Sequence, residues 1–293
     1  VVACGTAMPF AVRWFDRATE AQVPSEPAGA TYWADPALSF DDVWSGALGT
    51  SAPAGAAAGG QGVLLAVVDE GVDAAHRAGA CGDPHAWPCF DADISLAESG
   101  AAPGRADMTS HGSKVAYLAT LGAPEVTLAD LRLPWGNSRV CDAYHRHQRL
   151  LEGMRSAHPG APQPLLHRYR GVVVVNAWYV ADRGAPGMET YVDEPRHPLN
   201  ATIGQLAAHG ADIVLAAGNC GAAPMRECVS HATMTETIVG ANAHPDVLTV
   251  GAGWIVGDDV EVAHYSSHGP GPRRMAVNKP DVLALSDFLA GVP

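Results

Sequence analysis

Three polar residues stand at the ends of apolar runs, where buried backbone can hold an acid-base side chain in place. Asp69 follows the apolar run 63–68, and a carboxylate there can orient a histidine and stabilise its imidazolium. His111 lies between a serine and a glycine at the start of an apolar helix, where its imidazole can act as a general base. Asn219 ends the run 213–218, and its amide can donate to a developing oxyanion. Each residue is commonplace alone, and their order and surroundings carry the prediction.

The segments around these residues alternate between predicted strands and helices. The continuous apolar run 63–68 is typical of a strand buried on both faces of a parallel sheet. Further strands are predicted over 172–175, 213–217 and 247–250, and helices over 113–121, 141–157 and 200–209. This alternation predicts an α/β fold with a doubly wound, mostly parallel sheet and helices on both faces. Sites in such sheets lie at the carboxyl ends of the strands, where Asp69, Asn176 and Asn219 are expected.

The 293 residues are predicted to form a single domain with three regions. Residues 63–293 make up the main body and carry the Asp, His and Asn motifs. Residues 24–62 are rich in Ala, Gly, Pro and Ser, which favours a linker over the surface. Residues 1–23 are predicted to contain a strand, a tight turn and a helix, with Pro9 suited to the first helical turn.

The order of Asp69, His111 and Asn219 resembles that of the subtilisin-like serine peptidases. The resemblance rests on Ser110-His111-Gly112 downstream of the Asp69 strand, and it is strengthened by residues 244–252, 265–270 and 278–282. It covers about residues 60–287. It implies a subtilisin-like fold in which Asp69 orients His111, His111 is the general base and Asn219 stabilises the oxyanion. The implied activity is that of a serine endopeptidase acting on an extended peptide through a Ser-His-Asp triad.

The nucleophilic serine is not at the position that the resemblance implies. In these peptidases a Gly-Thr-Ser motif follows the Lys-Pro-Asp-Val stretch, but here the sequence after 279–282 reaches Pro293 without one. Residues 2–14 resemble the missing segment, so the order is that of a circular permutation with 24–62 as the join. Ala7 marks the nucleophile position. Either Ala7 replaces the serine, or two residues including the serine are missing between Thr6 and Ala7, and in both cases an inactive or weakened form is expected.

A second Gly-Thr-Ser sequence ends at Ser51. Only a short Ala/Gly stretch separates Ser51 from the strand that leads to Asp69, which leaves little room for a long buried helix. No apolar strand precedes it. These features favour a loop serine over a nucleophile.

Residues Asn176, Ala177, Trp178 and Tyr179 align with the strand that pairs with the peptide substrate in this family, so the resemblance implies that they bind substrate. Trp178 and Tyr179 are bulkier than the residues usual at that strand. They can narrow the pocket or stack on a substrate side chain, and they can equally be core aromatics. The sequence leaves both interpretations open.

Composition restricts the partners. The net charge of −13 argues against nucleic acid or an anionic membrane surface, both of which favour basic patches. No apolar run approaches the ~20 residues that span a bilayer, and the first residues do not resemble a signal peptide. A peptide or protein substrate is the expected partner, and the compartment is left open.

No cofactor and no metal site are predicted. Four acidic residues are weak candidates for structural calcium, but no loop spacing supports them, and solvated acids are favoured. These residues are Asp73, Asp91, Asp93 and Asp107.

The six cysteines include no Cys-x-x-Cys spacing, which argues against zinc. The pairs Cys81/Cys89 and Cys220/Cys228 each bracket a short loop and suit local disulfides. Six free thiols are the alternative. Paired cysteines would suit a secreted or periplasmic protein.

Three functional hypotheses follow. The first is a subtilisin-like serine endopeptidase in a form that lacks its serine. The second is a pseudoprotease that binds a peptide or protein partner in the same groove without catalysis. The third is a relative that performs transpeptidation or leader-peptide removal, which the sequence does not separate from hydrolysis.

Overall fold

A central β-sheet organises the part of the chain that the structure, a computed structural model, describes. The described residues are 12–13, 59–74, 79–80, 88–97, 102–106, 110–134, 140–155, 164–180, 189–221, 237–256, 259–275 and 278–285. Ala7, Ser51 and all but the last four residues of the predicted linker 24–62 lie outside these ranges. The single-domain organisation stays a prediction.

The strands, in chain order, are β1 (Val12–Arg13), β2 (Val63–Val67), β3 (Gly79–Ala80), β4 (Cys89–Phe90), β5 (Thr127–Asp130), β6 (Gly171–Asn176), β7 (Tyr179–Val180), β8 (Ala211–Ala216), β9 (Leu248–Val256), β10 (Asp259–Val262) and β11 (Val282–Leu285). Within the described residues, nine of them form one sheet in the order β10-β9-β8-β6-β2-β5-β4-β3, with β11 paired to β9. Every pairing in this sheet is parallel except that of β10 with β9.

The helices are α1 (His111–Gly122), α2 (Val140–Arg155), α3 (Leu165–Arg168), α4 (Glu189–Asp193) and α5 (Pro198–Ala208), followed by a 3₁₀ turn over Gly240–Ala243. Among the described helices, none combines the length and apolarity needed to cross a lipid bilayer.

The helices cover both faces of the sheet, as the alternation of side chains along β2 shows. Leu64 belongs to a buried cluster that includes residues of α2 and α5, whereas its neighbour Leu65 belongs to a second cluster that includes Ala116 of α1. Successive strand residues point to opposite faces, so these two clusters lie on opposite sides of the sheet. The predicted doubly wound, mostly parallel α/β fold is confirmed.

The elements predicted from apolar patterning are present, with boundaries displaced by a few residues. The predicted helices 113–121, 141–157 and 200–209 correspond to α1, α2 and α5, and the predicted strands correspond to β2, β6, β8 and the start of β9. Gly210 follows α5 with a φ of 90°, a backbone conformation that glycine adopts without steric cost. Strands β5, β10 and β11 are additions that the sequence analysis did not predict.

The helix predicted after Pro9 is wrong at the two residues where the structure describes it. Val12–Arg13 is extended and pairs antiparallel with Tyr179–Val180, with Val12 opposite Val180. Helix propensity differs by less than 1 kcal/mol between ordinary residues, so backbone hydrogen bonds to an available strand can override it.

Candidate functional site

Asp69 lies just beyond the carboxyl end of β2, the central strand between β5 and β6. The strand is buried along four of its five residues, and the chain bends at Asp69, whose side chain is fully buried. The backbone N–H of Glu70 donates to Asp69 Oδ1 over 2.8 Å. This local hydrogen bond fixes the carboxylate relative to the strand end.

His111 is the first residue of α1, and Ser110 forms the N-terminal cap of that helix. The Ser110 hydroxyl accepts from the backbone N–H of Ser113 over 3.2 Å, which satisfies one of the N–H groups that a helix start leaves without an intrahelical partner. The same hydroxyl donates to the Gly71 carbonyl over 2.9 Å. The start of α1 is therefore attached directly to the segment that follows Asp69.

Gly112 allows this close approach. A Cβ placed on Gly112 would lie 2.5 Å from the Gly71 carbonyl oxygen and 3.1 Å from Asp69 Cβ. The first of these distances is too short for any side chain, so only glycine lets the helix start lie against residues 69–71. The Ser-His-Gly motif thus has a packing reason as well as a chemical one.

Asp69 and His111 form a buried pair. Nδ1 of His111 lies 3.0 Å from both Oδ1 and Oδ2 of Asp69, and the residues are 7% and 0% exposed. A carboxylate at Nδ1 favours the tautomer in which Nδ1 carries the proton, which leaves Nε2 as the basic nitrogen. The arrangement can therefore accept a proton at Nε2 and stabilise the resulting imidazolium.

Glu70 is a further residue of the site that the sequence analysis did not select. Its Oε1 accepts a hydrogen bond from the backbone N–H of His111, and its side chain is buried. Two successive acidic residues after a buried strand were the available signal. Asp69 contacts the ring of His111 and Glu70 contacts its backbone. This division depends on how α1 is placed, which the sequence does not show.

Asn219 lies beyond the carboxyl end of β8 and is buried. The preceding Gly218 has a φ of 103°, and a Cβ there would lie 3.1 Å from the ring of Tyr179, so glycine permits the turn that leads to Asn219. In the sheet, β6 separates β8 from β2. Two strand spacings place the Asn219 and Asp69 strand ends about 10 Å apart. The strand ends that lead to Asp69 and Asn219 therefore lie along the same edge of the sheet.

Trp178 and Tyr179 are core aromatics rather than exposed groove residues. Trp178 is fully buried and belongs to the main hydrophobic cluster, and Tyr179 is also buried. The Trp178 indole N–H donates to Asn176 Oδ1 over 3.1 Å. Of the four predicted substrate-binding residues, only Ala177 is partly exposed. Any substrate contact along this stretch would therefore come from backbone atoms and Ala177.

The strand ends are tied together beneath this stretch. Asn242 Nδ2 donates to the Trp178 carbonyl over 3.0 Å and to the Ala216 carbonyl over 2.8 Å. Ala216 is the last residue of β8, three positions before Asn219. One buried amide thus connects the β6–β7 turn to the strand that carries Asn219.

Two buried residues near the site, Asp130 and His147, have shifted pKa values. Burial raises the pKa of Asp130 to about 6, with a smaller raising contribution from Asp69, while the Gly104 and Val72 N–H groups and Arg132 lower it. Burial lowers the pKa of His147 to about 4, and the Ala143 carbonyl and the Asn176 side chain act in the opposite direction. At neutral pH His147 is neutral, and its Nδ1 lies 2.7 Å from the Ala143 carbonyl oxygen.

Asp91, one of the four calcium candidates, has protein partners for its carboxylate. Asp91 accepts hydrogen bonds from Arg168 and from the Tyr169 hydroxyl, each over 2.6 Å. Asp107 lies outside the described residues. Within the part of the chain that is described, no group of three or more His, Cys, Asp or Glu side chains is placed to hold a metal ion.

Three cysteines fall in the described ranges. Cys141 is not part of a disulfide, whereas Cys89 and Cys220 are disulfide-bonded. Their predicted partners, Cys81 and Cys228, lie outside the described residues, so the two pairings stay predictions.

The chain matches no protein-family model and no curated protein. Similar solved structures include a psychrophilic protease at 18% identity, covering 77% of this chain and 65% of that one, with a TM-score of 0.49. Sphericase is 18% identical over 72% of this chain and 60% of its own, with a TM-score of 0.40. A cold-adapted subtilisin-like serine proteinase is 16% identical over 78% of this chain and 64% of its own, with a TM-score of 0.44. The chain spans less than two thirds of each of these proteins.

Proposed function

We propose that the chain carries the acid and base of a subtilisin-like serine peptidase, with Asp69 orienting His111 and His111 acting as the general base. The single observation that carries this proposal is the buried pair, in which the imidazole Nδ1 lies 3.0 Å from both carboxylate oxygens. In a Ser-His-Asp mechanism His111 Nε2 takes the proton from the attacking serine hydroxyl and later gives it to the leaving amine. Asp69 stabilises the imidazolium between these two steps.

Asn219 is the proposed oxyanion donor. Its position beyond β8, separated from Asp69 by the width of one intervening strand, supports this role because a substrate carbonyl needs room between the base and the donor. The proposed substrate is an extended peptide, and the antiparallel pairing of Val12–Arg13 with Tyr179–Val180 supports this choice. In that pairing the backbone of 179–180, in a two-stranded sheet separate from the main one, hydrogen-bonds to an extended segment, and extended peptides bind to strands in the same way.

The proposed nucleophile position is residue 7, which is alanine in this sequence and lies outside the described residues. The test restores the attacking atom in the full chain by two variants, Ala7→Ser and the insertion of a dipeptide beginning with serine between Thr6 and Ala7. We expect one of them to react covalently with a fluorophosphonate and to hydrolyse a peptide substrate, since His111 Nδ1 lies 3.0 Å from both carboxylate oxygens of Asp69.

Three companion substitutions separate this mechanism from adventitious reactivity. In the active variant, His111→Ala should abolish labelling, whereas the exposed His209→Ala should leave it unchanged. Asn219→Ala should lower kcat by about 10²- to 10³-fold, the effect of removing the oxyanion-hole asparagine of subtilisin. Absence of labelling in both serine-restored variants would refute the peptidase proposal.

A second candidate function is a pseudoprotease that binds an extended peptide without cleaving it. The alanine at position 7 favours it, because the remaining groups have no attacking atom. Its signature would be a combination of results. Both serine variants would fail to react, while the unaltered chain would still bind extended peptides of mixed sequence, with binding lost when bulky substitutions are made at Ala177.

A further inference from the structure

Glu70 holds the backbone of the same residue whose ring is held by Asp69. The side chain of Glu70 accepts from the His111 N–H, and Asp69 lies 3.0 Å from Nδ1 of the ring. Two consecutive residues after β2 therefore form hydrogen bonds with the same histidine, one to its ring and one to its backbone. When the backbone of His111 is fixed, its ring can still rotate about the side-chain bonds. The contact with Asp69 prevents that rotation.

The location of Glu70 also explains how a second carboxylate can be buried beside Asp69. The first N–H groups of a helix have no intrahelical partner, and they carry the positive end of the helix dipole. Glu70 takes the N–H at the first helical position, while Ser110 takes the N–H of Ser113. The carboxylate is thus placed where the helix favours a negative charge.

The remaining contacts between the two segments lock this geometry. The Ser110 hydroxyl donates to the Gly71 carbonyl over 2.9 Å, and Ser113 Oγ accepts from the Asp73 N–H over 2.8 Å. Four residues of the segment 69–73 are thus hydrogen-bonded to the segment 110–113. Within this set Glu70 is the side chain that bonds to the main chain of the proposed base itself.

We propose that Glu70 is a positioning residue for His111: it fixes the start of α1 so that the imidazole stays within hydrogen-bond distance of Asp69. This inference rests on the proposed function only for the name of the reaction that it serves. The Asp69–His111 hydrogen bond that Glu70 maintains is a property of the folded chain with or without a nucleophile.

The test measures that hydrogen bond by proton NMR on the unaltered full chain and on four variants. The Nδ1 proton of His111 should give a strongly deshielded resonance, assigned by its loss in His111→Gln. Glu70→Gln keeps an acceptor oxygen and should retain this resonance. Glu70→Ala should lose or broaden it and should reduce the hydrogen-exchange protection of the His111 amide by about 10- to 100-fold, the equivalent of one hydrogen bond to a charged group. The exposed Glu152→Gln on α2 is the matched control and should change neither signal.

The possible outcomes separate positioning from general stability. If Glu70 only stabilises the helix, Glu70→Ala will lower the unfolding midpoint but leave the deshielded resonance in place, and the proposal is overturned. If Glu70→Ala does not fold, Glu70→Asp decides, because a side chain shorter by one methylene must weaken the resonance relative to Glu70→Gln. An unchanged resonance in Glu70→Asp would likewise overturn it.

These results are independent of the peptidase test. Failure of both serine-restored variants to react, with the resonance behaving as expected, would refute the proposed function and leave the positioning role intact. In a reactive serine variant, Glu70→Ala should lower kcat with little change in KM, because it disturbs the base and not the peptide-binding strand.

Discussion

Replacing Asp130 with asparagine should remove a loss of folding stability that the unaltered protein undergoes as the pH rises from acidic to neutral values. Asp130 ends β5 and is 1% exposed; its Oδ2 accepts from the Gly104 N–H over 2.9 Å, and its Oδ1 has no hydrogen-bond partner among the described residues. Burial is the main reason that its pKa rises from an ordinary value of 3.8 to about 6. The folded protein therefore holds a proton on Asp130 at pH values where the unfolded chain has released it.

The sign and size follow from linkage. A raised carboxyl pKa gives stability that is fully present below about pH 3.8 and is lost as the pH rises to about 6. About two pKa units at about 1.4 kcal/mol each make this loss about 3 kcal/mol. Asparagine does not titrate, so the variant should gain about 3 kcal/mol relative to the unaltered protein between acidic and neutral pH. Any pH-independent cost of burying the asparagine amide cancels from this difference.

The assay is urea unfolding of both proteins, followed by tryptophan fluorescence at a series of pH values from about 4 to 7. Asp212→Asn, at an exposed position of β8, is the matched control and should show a much smaller pH-dependent change. A difference between Asp130→Asn and the unaltered protein that stays constant over this range would refute the reasoning, and so would one that falls as the pH rises.

Three further substitutions test other parts of the structure. His147→Gln should reduce the destabilisation of the protein by acid by about 3 kcal/mol, as measured by unfolding at several pH values. Burial lowers the pKa of His147 from 6.5 to about 4. The stability that the neutral imidazole contributes is therefore present above pH 6.5 and is lost as the pH falls towards 4. Gly112→Ala should destabilise the protein by about 1–3 kcal/mol and remove the deshielded proton resonance, because the new Cβ would clash with the Gly71 carbonyl. In the control Gly171→Ala the new Cβ meets nothing within 4 Å, so the stability and the resonance should stay nearly unchanged. Leu206→Ala should cost about 2–5 kcal/mol in urea unfolding, since the leucine is fully buried in the main core; a loss below about 1 kcal/mol would contradict its place there.

The sheet and its strand ends could be predicted because the relevant information is local. The run 63–68 is apolar at every position, which requires burial on both faces, and β2 is buried as expected. Parallel strands then bring their carboxyl ends to one edge by geometry alone. The nearness of Asp69 to His111 followed from this reasoning together with the family resemblance.

Other features depended on partners that no local pattern specifies. Val12–Arg13 is a strand because Tyr179–Val180 offers it backbone hydrogen bonds, and that strand is more than 160 residues away in the sequence. Trp178 is in the core because the turn after β6 points its indole inward to Asn176. The role of Glu70 depends on where α1 begins in space, which its own sequence position does not reveal.

The parallel pairing of β2 also has a kinetic consequence. Val63 lies opposite Gly171 and Leu64 opposite Val172, so the central pair of the sheet joins residues more than a hundred positions apart. The entropy cost of closing so long a loop comes before the hydrogen bonds and packing of the paired strands can form. Chains dominated by such distant contacts therefore fold slowly and expose apolar strands for longer. Refolding from urea should accordingly be slow and prone to aggregation at high protein concentration.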